Sequence, residues 1–151
     1  MSKQLSIFLA EDNPGDVELV REALHAHEIQ YQLCVAKNGT EARRFIERMG
    51  KEPDAPCPDV ILLDLNLPRA SGFELIILFR KHPLCVETPV IVVTSSDAPN
   101  DRQRAAELGA VRYFKKPSDL EDFLKLGAVL REVTEERGLA GLPEGGVERS
   151  K

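Results

Sequence analysis

The chain has 151 residues, 42% hydrophobic and 30% charged, with a formal net charge of −5. That length suits one domain with a substantial core, and the composition is that of an ordinary globular protein rather than a disordered or fibrous one. The acidic balance argues against general binding to nucleic acid or to an anionic membrane surface.

Leu5–Ala10 is the first of five short apolar runs rich in β-branched residues and predicts a strand. It is cut off by Glu11 and Asp12, too early for a signal-peptide core, and no run approaches a membrane span, so a cytoplasmic location is expected. Asn13-Pro14 supplies a cap and a first-turn proline for a helix whose Val17, Val20 and Leu24 share a face. Gln32–Ala36 is the second strand, with Cys34 expected as a small core residue. Ala42, Phe45, Ile46 and Met49 mark the second helix, and residues 51–58, KEPDAPCP, read as a rigid surface connector.

Val60–Leu63 and Val90–Val93 are continuously apolar, as parallel strands covered on both faces should be. Between them, Ser71 to Lys81 forms a helix apolar on nearly every side; crowding by neighbours is preferred to a sticky face for a partner. Residues 98–101, APND, open a fourth helix that Leu108-Gly109 closes. Val111–Phe114 is the fifth strand, and Ser118 is expected to cap a fifth helix carrying Leu120, Phe123, Leu124, Leu130 and Val133. Residues 138–151 are Gly-rich and expected to be a mobile tail after a single domain, residues 1–137. Cys34, Cys57 and Cys85 are odd in number and widely spaced, which suits a reducing compartment better than a disulfide framework.

Five βα units imply a doubly wound α/β fold, a five-stranded parallel sheet flanked by helices. Sites in such sheets form beyond the carboxyl ends of the strands, where strand order reverses. In the common order 2-1-3-4-5, strands one and three are neighbours about 4.8 Å apart, so Glu11, Asp12 and Asp64 face one another. A carboxylate ending a buried strand needs compensation. Three of them repel unless a cation intervenes, and hard oxygen ligands at a solvated rim suit Mg²⁺. A carboxylate screened by a metal can also act as a nucleophile toward phosphorus. Thr94 and Lys116 end the fourth and fifth strands on the same rim, offering a hydroxyl and an ammonium for phosphoryl oxygens. Tyr113 lies three residues before Lys116.

The motifs LAEDNPGD, VILLDLNLP, IVVTSS and YFKKP, in this order at the strand ends, resemble the receiver domain of bacterial response regulators over about residues 5–135. The resemblance implies a flavodoxin-like (βα)5 receiver fold and a single-domain response regulator of a two-component phosphorelay. Asp64 would be the phospho-acceptor, supplied by a sensor histidine kinase. Glu11, Asp12 and Asp64 would hold Mg²⁺ through carboxylates and Asn66 through its backbone carbonyl. Thr94 and Lys116 would bind the phosphoryl group, Tyr113 would be the aromatic switch, and Lys116-Pro117 would be a cis peptide. EDNPGDVELVREAL and LDLNLPR look most like the stand-alone receivers paired with phytochrome-type histidine kinases. Arg69 and Ser71 depart from the methionine and aspartate frequent at their positions, which bears on phosphate lifetime. A homodimer through the fourth helix, fifth strand and fifth helix is an expected partner state; nucleic acid and membrane are not expected partners.

Two other readings stay open. A haloacid-dehalogenase-type Mg²⁺ phosphatase also puts an aspartate at a strand end, but wants a second acid where Asn66 stands. A receiver-like adaptor that is never phosphorylated would have no need of the acids, Thr94 and Lys116. Nucleotide-binding glycine motifs, H-E-x-x-H and G-x-S-x-G are absent, and His25, His27 and His82 are expected to be solvated.

Overall fold

Four consecutive buried residues, Val60–Leu63, can form a strand only if both faces of the sheet are covered. In the computed structural model, which describes residues 4–52 and 55–142, they form β3 at the centre of such a sheet. β1 (Leu5–Ala10), β2 (Tyr31–Ala36), β4 (Val90–Thr94) and β5 (Ala110–Lys115) complete it, all parallel, in the expected order 2-1-3-4-5. The helices are α1 (Pro14–Ala26), α2 (Gly39–Arg48), α3 (Gly72–Lys81), α4 (Pro99–Glu107), α5 (Leu120–Phe123) and α6 (Leu126–Glu136).

Alternation of side chains along the strands divides the core in two. Ile7, Leu9, Leu62 and Val93 point to the layer of α1 and α6, with Leu24, Leu126, Leu130 and Val133. Phe8, Ile61, Leu63 and Val92 point to the layer of α2 and α3, with Ile46, Leu75, Ile76 and Phe79. The apolar third helix is therefore crowded by neighbours, as preferred. Each such side chain taken fully out of water contributes about 1.5–3 kcal/mol.

Several expectations are corrected. The fifth helix is broken into α5 and α6, and Asp119, not Ser118, caps it by accepting the Glu121 N–H. At the break, Leu124 O accepts from Gly127 N (3.0 Å) and also from His27 Nε2 (3.1 Å), which ties the break to the end of α1. His27 is thus a helix fastener rather than a solvated side chain. His82 does likewise, donating to Met49 O (3.1 Å) and accepting from Leu84 N.

Cys34 is exposed, because β2 is an edge strand with one open side. Cys57 and Cys85 form a disulfide joining the entry of β3 to the short 3-10 turn Pro83–Cys85; the partners are 28 residues apart in sequence, and only the tertiary fold brings them together. Among the described residues no peptide bond is cis, Lys116-Pro117 included; the trans form is the lower in energy even for proline. Residues 138–142 pack onto the domain instead of leaving it. Leu139 and Leu142 join the α1/α6 core, and Gly141 O accepts from Gln30 N (2.8 Å). The rest of the expected tail, from residue 143, lies outside the described residues.

Candidate functional site

The ladder runs one residue past the strand ends: Asp64 N donates to Ala10 O (3.1 Å) and Glu11 N to Ala36 O (3.0 Å). Both acids are consequently held by their backbones at the rim, and both are buried, Glu11 to 2% and Asp64 to 6% exposure. Asp12 follows Glu11 and is exposed. One carboxylate oxygen from each of Glu11, Asp12 and Asp64 lies within 4.8 Å of the other two. Metal–oxygen bonds of about 2.0–2.6 Å span such a gap once the exposed Asp12 turns slightly, so these hard donors fit a divalent cation.

Asn13 starts α1 beside them. Its Oδ1 accepts from Gly15 N (2.8 Å) and Asp16 N (3.2 Å), fixing the helix start against the strand ends. Asp64 is fixed from the other side. Its Oδ1 accepts from Asn66 N (3.0 Å), and Gly72 at the start of α3 packs so closely that a Cβ there would lie 2.6 Å from Asp64 O. Asn66, exposed, opens a two-residue hairpin in which it pairs with Ser71 across Pro68-Arg69. Arg69 takes a left-handed conformation (φ 69°) in that turn, and Ser71 forms a capping box with Glu74.

Lys116 reaches the centre of the cluster. Its Nζ lies 2.8 Å from Glu11 Oε1, 2.8 Å from Asp64 Oδ2 and 2.8 Å from Asp16 Oδ2. Burial works against the ammonium, but hydrogen bonds to Asp16, Asp64 and Glu11 outweigh it and raise the lysine pKa above its ordinary value. Burial raises the Glu11 pKa, and Lys116 offsets this only in part. Asp12 pairs with no cation among the described residues. Three carboxylates thus share one lysine and a fourth, Asp12, stands beside them unpaired, an excess of negative charge that a divalent cation would relieve.

The other expected residues share the rim. Thr94 ends β4 fully buried, its Oγ1 accepting from Ser96 N at 3.4 Å. Tyr113 donates from its hydroxyl to Ser96 O (2.9 Å), and the Arg102 guanidinium sits 4.4 Å over its ring. Arg102 in turn pairs with Asp97 (3.0 Å). Beside the acids, a recess of about 320 Å³ opens between α1 and β2, lined in part by Asp12, Pro14, Val17, Arg21 and Lys37. Asp16 is the residue that reading the sequence missed. Its only signal was an acid in the first helical turn, three residues after Asn13, where a capping or dipole role explains it equally well.

An acidic pocket with a buried lysine, at the carboxyl edge of a 2-1-3-4-5 parallel sheet, defines a doubly wound module of the receiver type. Residues 7–127 match the response regulator receiver domain family, and the chain belongs to that family. Acceptance of a phosphoryl group by an aspartate, in two-component signalling with histidine kinases, is typical of it. The chain is 34% identical over 120 residues to response regulator Rcp1 of Synechocystis sp., covering 80% of this chain and 82% of Rcp1. Among solved structures it is similar to the phosphorylated cyanobacterial phytochrome response regulator RcpA. The TM-score is 0.76 at 30% identity, over 86% of this chain and 93% of RcpA. The Mn²⁺-bound form of Rcp1 gives a TM-score of 0.74 at 32% identity, over 83% and 91% of the two chains. The likeness to phytochrome-associated receivers is thereby borne out. No helix among the described residues is long and apolar enough to cross a membrane.

Proposed function

We propose that the chain is a cytoplasmic, phospho-accepting signalling domain in which Asp64 receives phosphoryl from a phytochrome-type histidine kinase in a Mg²⁺-dependent reaction. The observation that carries this is the buried Asp64 carboxylate, held at the rim beside Glu11 and Asp12 and bonded to Lys116. Glu11, Asp12 and Asp64 would hold Mg²⁺, joined by the Asn66 carbonyl; the ion supplies screening of the incoming anion. An Asp64 oxygen forms the new bond to phosphorus while the bond to the kinase imidazole breaks, its electron pair leaving with the imidazole. Lys116 and the Thr94 hydroxyl then bind phosphoryl oxygens. The chain assists its own phosphorylation and hydrolysis without acting on a separate substrate.

Phosphorylation adds about −1.5 to −2 charges. Thr94 moving toward them biases the loop that Tyr113 reaches through Ser96 O, and with it the face of α4, β5 and α6. That face is the proposed homodimer surface, and the recess beside α1 suits the approach of the kinase. Residues 1–137 would carry the receiver's chemistry, with residues 138–142 packed against them. The deciding experiment is acetyl phosphate with Mg²⁺ followed by phosphate-affinity electrophoresis. Wild type is expected to shift and Asp64→Asn to remain unshifted; an equal shift in both rejects Asp64.

A further inference from the structure

We propose that Asp16 is a positioning residue, the carboxylate that keeps the Lys116 ammonium at the rim once a divalent cation claims Glu11 and Asp64. This rests on the assignment of Glu11, Asp12 and Asp64 as the metal-holding trio. The ammonium has three N–H donors; it donates to Asp64 and Asp16 and lies at the same 2.8 Å from Glu11, so three carboxylates surround it. Two of these acceptors belong to the trio whose oxygens converge within 4.8 Å, and the third does not. Asp64 Oδ1 already accepts the Asn66 amide, and Oδ2 faces the lysine. Lysine and metal therefore draw on the same two carboxylates, Glu11 and Asp64, and two cations on one pair of carboxylates repel.

Asp16 resolves the competition. It stands in the first turn of α1, on a backbone tied down by Asn13, and its side chain is mostly buried beside the lysine. The helix start itself favours a negative charge there. It offers the ammonium a partner that the metal has no use for, so the lysine yields the trio without leaving the rim. It is then placed to meet a phosphoryl oxygen arriving at Asp64. Without Asp16 the lysine has only the metal's own ligands as counter-ions.

The test titrates metal-stripped full-length protein with Mn²⁺ by calorimetry, in a double-mutant cycle of Asp16→Asn and Lys116→Met. With Lys116 present, Asp16→Asn is expected to weaken Mn²⁺ binding about tenfold, and in the Lys116→Met background about twofold or less, a coupling ordinary for contacting residues. Asp16→Glu should recover most of the loss. An equal loss in both backgrounds would mean that Asp16 contributes only charge, and tighter binding by Asp16→Asn would mean that it pins the lysine in the metal's way; either overturns the inference. Lack of saturable Mn²⁺ binding by wild type would overturn the metal assignment as well, which separates the two failures. A second readout needs no Lys116 variant. The slowly exchanging lysine ammonium resonance of the Mg²⁺-loaded protein should be present in wild type and lost in Asp16→Asn; its persistence in the variant also overturns the inference.

Discussion

Lys116 is the residue on which the resting site turns. Its side chain is 11% exposed, and it neutralises Glu11 and Asp64, exposed only to 3% and 8%. Removing one partner of a buried charge cluster costs about 3–5 kcal/mol, because the remaining charges keep their desolvation penalty. Lys116→Met is therefore expected to lower the urea-unfolding free energy of metal-free protein by about 3 kcal/mol, with Mg²⁺ restoring much of it by taking the lysine's place. An unchanged midpoint in chelator would contradict the picture. The pH dependence follows from the direction of the lysine shift. Its folded pKa lies above the ordinary 10.5, so the stability it supplies is complete below about 10.5 and lost as pH rises through the folded value. Wild type should lose stability in that alkaline range more steeply than Lys116→Met, as read from unfolding midpoints.

At the scale of elements, the site depends on how closely α3 approaches β3. Ser71 and Glu74 cap the helix reciprocally, and Gly72 lets its first turn press on the backbone of Asp64 and Leu65. A Cβ at residue 72 would stand 2.6 Å from Asp64 O and 2.8 Å from Leu65 Cα, against backbone atoms that cannot swing aside. Alanine is the better helix former by about 1 kcal/mol, yet overpacking of this kind costs about 1–3 kcal/mol. Gly72→Ala should therefore be destabilised on balance, with slower phosphorylation from acetyl phosphate as Asp64 shifts. A more stable variant with wild-type uptake would show that the helix can retreat freely. The neighbouring Gly39 has the same character, since its added Cβ would meet Arg69 O at 2.7 Å. Two glycines thus let α3 close on the end of β3 and α2 close on the hairpin that follows Asp64.

The whole molecule separates chemistry from reinforcement along the strand axis. Acids, Thr94 and Lys116 occupy the carboxyl ends of the strands, whereas the Cys57–Cys85 bond ties together the approaches to β3 and β4 at their amino ends. Near it, Arg80 donates to the carbonyls of Cys85, Thr88 and Gly109, clasping the same turn. Closing a loop of this size restricts the unfolded chain by about 3–4 kcal/mol in the chain-entropy model. Reduction, or Cys57→Ser with Cys85→Ser, is expected to lower the urea-unfolding free energy by an amount of that order while leaving Mn²⁺ affinity unchanged. A parallel loss of metal binding would show that the two ends are coupled.

The order and type of the main elements, and the rim residues Glu11, Asp12, Asp64, Thr94, Tyr113 and Lys116, were legible in the amino-acid sequence. They depend on local apolar periodicity and on one general rule, that parallel sheets gather chemistry at the carboxyl ends of their strands. The break between α5 and α6 was not legible, because Leu120 to Val133 keeps helical periodicity throughout. What decides it is the close approach of Gly127 to α1, where a Cβ would lie 2.5 Å from Ala23 O, and the bond from His27. Cys34 reads as core from its apolar neighbours, yet strand order leaves β2 at an open edge. The Cys57–Cys85 pairing and the placement of Asp16 against Lys116, 100 residues away in the chain, join segments with no mutual signature. Local patterns record which faces must be buried; which distant groups meet is set by how those faces pack, and that alone gave Lys116 its third carboxylate.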